Sequence, residues 1–185
     1  MISEALEALR RGEVVAFPTE SSYGLGVLAL DAAAVARLFA VKGRAQTEPV
    51  PVLVPDATWL DRVGLRPSPA ARALAAAHWP GRLTIVVEAA AEVPAAVCGG
   101  TGKIGLRVPG PSLALDLVRA LGAPLTATSA NRSGEPPALD EADVRRALSG
   151  VAVVLPGPAP GGPPSTVVDA TVDPPRVIRA GAIAL

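Results

Sequence analysis

"TATSANRSG", residues 126–134, is the stretch on which the fold turns. It follows Ala123-Pro124-Leu125, so "APLTAT" reads as a buried strand. Within nine residues come two threonines, two serines, an asparagine, an arginine and a glycine. An apolar strand that ends in short hydroxyl and amide side chains suits a sheet whose strand ends face a ligand. The same pattern recurs in "FPTESSYG" (17–24), "LRVP" (106–109) and "PPSTVVD" (163–169), and "VKGR" (41–44) closes a helical run in the same way.

The surrounding elements follow from pattern. Residues 3–11 suit a helix ended by Gly12, and "EVVAFP" (13–18) a strand stopped by Pro18. Asp31 caps a helix running to about Val41, with Val35, Leu38 and Phe39 on one side. "PVPVLVP" (49–55) is a strand that its prolines make short or place at an edge. Ser68-Pro69 starts a helix as cap and first-turn proline. "RLTIVVEA" (82–89) and "KIGLRVP" (103–109) are strands, 112–121 a helix, and 141–148 a helix capped by Asp140. "VAVVLP" (151–156), "TVVDAT" (166–171) and "PRVIRAG" (175–181) are strands, and "PGPAPGGPPS" (156–165) is a loop. Helices and strands mix without strict alternation, which predicts one α/β domain over 1–185 with a twisted mixed sheet flanked by helices.

Composition narrows the chemistry. The chain of 185 residues is 50% hydrophobic, enough for a sizeable core, but only 3% aromatic. Its 17 basic and 17 acidic side chains balance, so a basic excess for nucleic acid is absent. One cysteine, Cys98, forms no internal disulfide, and the single His78 excludes multi-histidine metal sites. No stretch reads as a signal segment or a membrane span, so a cytoplasmic protein is expected.

Familiar motifs fail one by one. "GGTGKI" (99–104) is no P-loop, since Val97 and Ile104 stand where Gly and Ser or Thr are required; a turn is expected. "YGLGVLA" (23–29) lacks the context of a dinucleotide site. Taken singly, the remaining polar residues have plain structural roles. Lys42 and Arg44 complement a helix C-terminus, Ser129 and Ser165 suit caps or turns, and Asn131 suits a left-handed turn. Arg107 and Arg179 sit in strands, where a surface position competes with a cavity-lining one. His78 reads as a helix-end residue and Cys98 as a buried thiol.

Taken together, the segments resemble one family. "PTESSYGL" is similar to its Pro-Thr-Asp/Glu-Thr-Val-Tyr-Gly-Leu, and "KGRAQTEPVPVLV" to its Lys-x-Arg segment. "WPGRLTIVV" resembles Trp-Pro-Gly-Pro-Leu-Thr, "IGLRVP" Val-Arg-Val-Pro, and "LTATSANRSGEP" Thr-Ser-Ala-Asn-x-Ser-Gly. "STVVD" and "VIRAGAI" resemble its closing motifs. This is the threonylcarbamoyl-AMP synthase (YrdC-like) family, and the likeness runs in order from about Ser3 to Ile183.

The resemblance implies a large concave cavity and the joining of L-threonine, bicarbonate and ATP into L-threonylcarbamoyladenylate with release of pyrophosphate. It implies Lys42 and Arg44 as catalytic, with Arg44 also toward the nucleotide. It implies Ser21, Arg107, Ser129 and Ser165 for L-threonine, and Asn131 and Arg179 for ATP. Mg2+ would arrive with ATP. Downstream partners would be a threonylcarbamoyl-transfer complex acting on tRNA, with a weak tRNA contact of its own allowed. Ser21-Ser22, Ala45, Glu48 and Arg82 depart from the family pattern. The chain ends just after "RAGAI", so a short form without the further domain of longer relatives is expected. An RNA-binding module of the same fold and a carbamoyl-transfer domain are the alternatives; neutral charge and few aromatics disfavour the first.

Overall fold

The computed structural model describes residues 1–43 and 45–185. The predicted elements all form, but they build two sheets where one was expected. The first has four strands in the order β7-β2-β1-β8: β1 is Val14–Pro18, β2 Tyr23–Gly26, β7 Thr128–Ser129 and β8 Val151–Val154. The second has six in the order β10-β9-β4-β5-β3-β6: β3 is Val52–Leu53, β4 Leu83–Glu88, β5 Lys103–Arg107, β6 Leu125–Thr126, β9 Thr166–Asp169 and β10 Arg176–Arg179. Both are mixed: β1 runs parallel to β8, and β3 and β9 run parallel to β5 and β4.

"TATSANRSG" is where the chain passes from one sheet to the other. Thr126 ends β6 opposite Val52, and two residues later Thr128 opens β7 opposite Leu25. Ala127 lies between and donates its amide to Pro51 O at 2.8 Å. Thr126, fully buried, holds the seam: its hydroxyl accepts the Val27 amide at 2.9 Å, and its own amide donates to Val27 O at 3.0 Å. A buried hydroxyl needs such a partner, and here the partner is the other sheet's strand exit. One continuous strand over "APLTAT" was the expectation; the break at Ala127 splits it.

"PVPVLVP" is short, as its prolines demand, but it is interior. β3 pairs with β5 on one side and β6 on the other. Two residues offer four backbone groups, and the flanking prolines lie outside the paired segment, so none interrupts the ladder.

The helices close the layers. They are α1 Ile2–Arg10, α2 Ala32–Lys42, α3 Trp59–Val63, α4 Pro69–His78, α5 Leu113–Leu121 and α6 Glu141–Ala147. Asp31 Oδ1 accepts the amides of Ala33 and Ala34, and Ser68 Oγ that of Ala71; Ser112 and Asp140 cap α5 and α6 in the same way. Helix α1 packs on β1, β8 and α5, α2 on β1, α4 on β4 and α6 on β8. Phe17, Tyr23, Leu25, Leu38, Ile85 and Leu106 fill the core, and aliphatic burial replaces the missing aromatics. His78 ends α4, and Cys98 is buried, its thiol pushed up by that burial. Gly99, Gly100 and Gly102 all take positive φ, so "GGTGKI" is the turn it was expected to be. Among the described residues no helix is long and apolar enough to cross a membrane.

Candidate functional site

A cavity of about 630 Å³ opens at the junction of the two sheets. Ser21 reaches it from the β1–β2 turn, Arg107 from the end of β5, Ser129 from the end of β7, Ser165 from just before β9, and Arg179 from the end of β10. Five of the eight residues singled out in the sequence therefore share one wall-to-wall space, drawn from both sheets. Thr19, Thr84 and Thr128 add further hydroxyl residues to the lining.

The side chains are tied to one another. Ser165 Oγ lies 2.9 Å from Thr84 Oγ1, and Arg179 Nη2 donates to Ser165 Oγ at 3.0 Å and to Ser165 O at 2.8 Å. Thr19 Oγ1 donates to Ser22 O at 2.8 Å, accepts the Ser21 amide at 3.2 Å, and stands 3.4 Å from Ser21 Oγ. The Thr19–Ser22 turn is thereby fixed by its own first hydroxyl. Arg107 is only 9% exposed although it lines the cavity. Burial lowers its guanidinium pKa, Glu20 beside it raises it, and the nearby charges of Arg82 and Arg179 lower it again. An arginine stays charged against such influences, so Arg107 presents a cation, paired with Glu20, on the cavity wall.

Lys42 and Asn131 are placed differently. Neither lines the main cavity; both lie behind Ser129. Lys42, 4% exposed, donates to Ser129 O at 2.5 Å and to Asn131 O at 3.3 Å, and its Nζ is 3.4 Å from Ser129 Oγ. It also borders a smaller pocket of about 320 Å³ with Gly43, Arg132, Ser133 and Ser149. Asn131 is not left-handed; among the described non-glycine residues only Arg66 has positive φ. Its Nδ2 donates to Arg132 O and Glu135 O, both at 2.8 Å, which closes the 131–135 turn, while Oδ1 is buried without a hydrogen-bond partner. Arg44 lies outside the described residues.

Two participants were not singled out in the sequence. Glu20 pairs with Arg107, and Tyr23 donates its hydroxyl to Leu155 O at 2.9 Å and Gly157 O at 2.5 Å. Tyr23 thus anchors the 156–165 loop, whose Gly161 amide also donates to Ser21 O at 2.7 Å. Both residues sit in "PTESSYG"; a carboxylate between two hydroxyl residues at a strand end was the available signal for Glu20.

These features define an α/β protein that gathers hydroxyl and guanidinium donors around a small-molecule cavity between two mixed sheets. The chain belongs to the Sua5/YciO/YrdC family, whose model, described as "Telomere recombination", matches residues 7–181. A Mycobacterium tuberculosis relative, provisionally named a threonylcarbamoyl-AMP synthase, is 38% identical over 184 residues, 98% of this chain and 84% of its own. The crystal structure of Pyrococcus abyssi Sua5 complexed with L-threonine matches with a TM-score of 0.92 at 36% identity, covering 97% of this chain and 54% of that one. Escherichia coli YciO matches with a TM-score of 0.86 at 30% identity, covering 97% and 88%. This chain thus spans about half the length of the archaeal protein and most of the other two.

Proposed function

We propose that this chain is a threonylcarbamoyl-AMP synthase: it joins L-threonine, bicarbonate and ATP into L-threonylcarbamoyladenylate and releases pyrophosphate. The observation that carries this reading is the convergence of Ser21, Arg107, Ser129, Ser165 and Arg179 on one cavity. Relatives that bear the synthase name and the threonine complex of the archaeal relative support it.

The donor set suits the chemistry. The amine of threonine and bicarbonate yield a carbamate and water; a carbamate oxygen then attacks the α-phosphorus of ATP, and the bond to pyrophosphate breaks. Substrate supplies the nucleophile, so the site needs no activated serine or cysteine. It must hold anions together instead: two like charges 4 Å apart repel by roughly 4 kcal/mol at an effective dielectric near 20. Arg107 and Arg179 on the cavity wall, with Lys42 behind Ser129, provide opposing charge at fixed positions. Arg107 takes the threonine carboxylate, and Ser21, Ser129 and Ser165 bond its remaining polar groups. Lys42, Arg44, Asn131 and Arg179 serve the nucleotide side, Asn131 by holding the turn whose carbonyl meets Lys42.

Mg2+ enters as part of the ATP complex. The described residues hold no cluster of three His, Cys, Asp or Glu, and the cavity lining offers hydroxyls rather than carboxylates. Phosphate oxygens and water would supply most of the ion's ligands. The adenylate produced is consumed by a threonylcarbamoyl transfer to tRNA, in the cytoplasm. Incubation of the protein with ATP, magnesium, bicarbonate and L-threonine, followed by mass spectrometry, tests the reading. A species with the mass of threonylcarbamoyladenylate that disappears without bicarbonate is the expected product.

A further inference from the structure

We infer that Glu20 is the positioning residue for Arg107: from behind the cavity wall it sets the guanidinium in the orientation that receives the amino-acid carboxylate. The inference rests on the threonine role proposed for Arg107 and adds a residue outside the binding surface.

Glu20 does not line the cavity, whereas its neighbours Thr19 and Ser21 do. Its side chain turns away and meets the end of β5. Oε1 accepts the Gly110 amide at 2.6 Å and a hydrogen bond from Arg107 Nη1 at 3.3 Å; Oε2 is 3.3 Å from Arg107 Nη2. The two side chains are 11% and 15% exposed, a part-buried pair with one hydrogen bond and a second nitrogen–oxygen approach at 3.3 Å. The short bond to Gly110 fixes Glu20 on the segment after β5, and Glu20 in turn holds Arg107. Oε2 makes no hydrogen bond of proper geometry despite its burial.

The charges agree. Burial, Arg82 and Arg179 all act against the Arg107 charge, and Glu20 is the acid that opposes them. Without it, three guanidinium groups would converge without a fixed anion, and Arg107 would turn toward solvent. Loss of negative charge would also act on the substrate, but threonine is a zwitterion. The effect on its carboxylate and on its ammonium has opposite sign, which leaves the orientation of Arg107 as the larger consequence. The pair to Glu20 uses one Nη1 hydrogen as a hydrogen bond and leaves Nε and the remaining Nη hydrogens for a substrate carboxylate.

The test is steady-state pyrophosphate release by Glu20→Gln, Glu20→Asp, Arg107→Gln and the Glu20→Gln/Arg107→Gln double variant, with KM measured for threonine and ATP separately. Glu20→Gln keeps an acceptor for Gly110 and removes the charge. It is expected to raise the threonine KM about tenfold and leave the ATP KM within twofold. Glu20→Asp is expected to recover most of that loss, and the double variant to be no worse than Arg107→Gln, because the two act as one unit. A threonine KM unchanged by Glu20→Gln where Arg107→Gln raises it, or equal rises for both substrates, overturns the inference alone. A threonine KM unchanged in Arg107→Gln overturns the role of Arg107 as well. Should Glu20→Gln fail to fold, Glu20→Asp decides: a threonine KM about two- to threefold above wild type with an unchanged ATP KM is expected, and a rise shared equally by both substrates contradicts the proposal.

Discussion

The Lys42 ammonium, at the last turn of α2, donates to the carbonyl of Ser129, 87 residues away, at 2.5 Å. This one contact joins a helix terminus to the exit of β7 and sets Ser129 Oγ on the cavity wall. A lysine this buried is held by its acceptors, not by solvent.

Removing those donors has two consequences. In Lys42→Met the carbonyls of Ser129 and Asn131 lose a buried partner, a cost of about 1–3 kcal/mol, and the site loses its nearest ammonium. Thermal unfolding is expected several degrees lower, with turnover down about a hundredfold or more. Differential scanning calorimetry and pyrophosphate release measure the two effects separately.

Tyr23→Phe removes the hydroxyl that Leu155 and Gly157 accept. The loss is about 1 kcal/mol of stability, and the 156–165 loop is freed at one end. Because Gly161 and Ser165 line the cavity, the threonine KM is expected to rise several-fold with little change in kcat. Hydrogen exchange should show faster exchange of the Gly161 amide.

Arg179 binds Ser165 through a fork: Nη2 and Nε both reach its carbonyl, and Nη2 also reaches its hydroxyl. A lysine cannot reproduce this planar geometry. Arg179→Lys is expected to raise the KM for ATP and for threonine together, about tenfold each. A rise confined to one substrate would show that Arg179 serves that one alone.

Gly181 approaches the loop too closely for a side chain. A Cβ there would fall 2.4 Å from Pro164 O and 2.6 Å from the Thr166 amide nitrogen. Gly181→Ala must push β10 and the loop apart, breaking the Ala182 amide bond to Pro164 O. A loss of about 1–3 kcal/mol is expected in chemical denaturation, with activity falling in step as Ser165 and Arg179 separate.

Asp169 gives a pH dependence whose sign is determined. Burial raises its pKa, but the Thr171 hydroxyl and amide and the Lys103 ammonium outweigh burial and hold it below the ordinary value. A depressed carboxylate contributes stability above its unfolded pKa of about 3.9 and loses it as pH falls through the folded value. Asp169→Asn should therefore be less stable than the wild type at neutral pH, with the gap closing in strong acid. Urea titrations at pH 7 and pH 3 check this.

Much of this arrangement was legible in the residues. Asp31, Ser68 and Asp140 marked helix starts because caps are local chemistry, and the same three side chains cap in the structure. For Arg107 a surface position competed with a cavity-lining one, and the structure places it on the cavity. The two-sheet division was not legible: it depends on the seam between Thr126 and Val27, 99 residues apart, which no local pattern records. The hydrogen bonds from Lys42 to the carbonyls of Ser129 and Asn131 join residues 87 and 89 apart in sequence, which no local pattern records. Glu20 was hidden for the same reason, since its partners Arg107 and Gly110 are remote in sequence.

The most direct test of the central claim is pyrophosphate release from ATP by the purified protein, with magnesium and bicarbonate, in the presence and absence of L-threonine and with L-serine as control. The account predicts release that requires threonine and bicarbonate together and is much weaker with serine. Release independent of threonine, or none at all under these conditions, would contradict it.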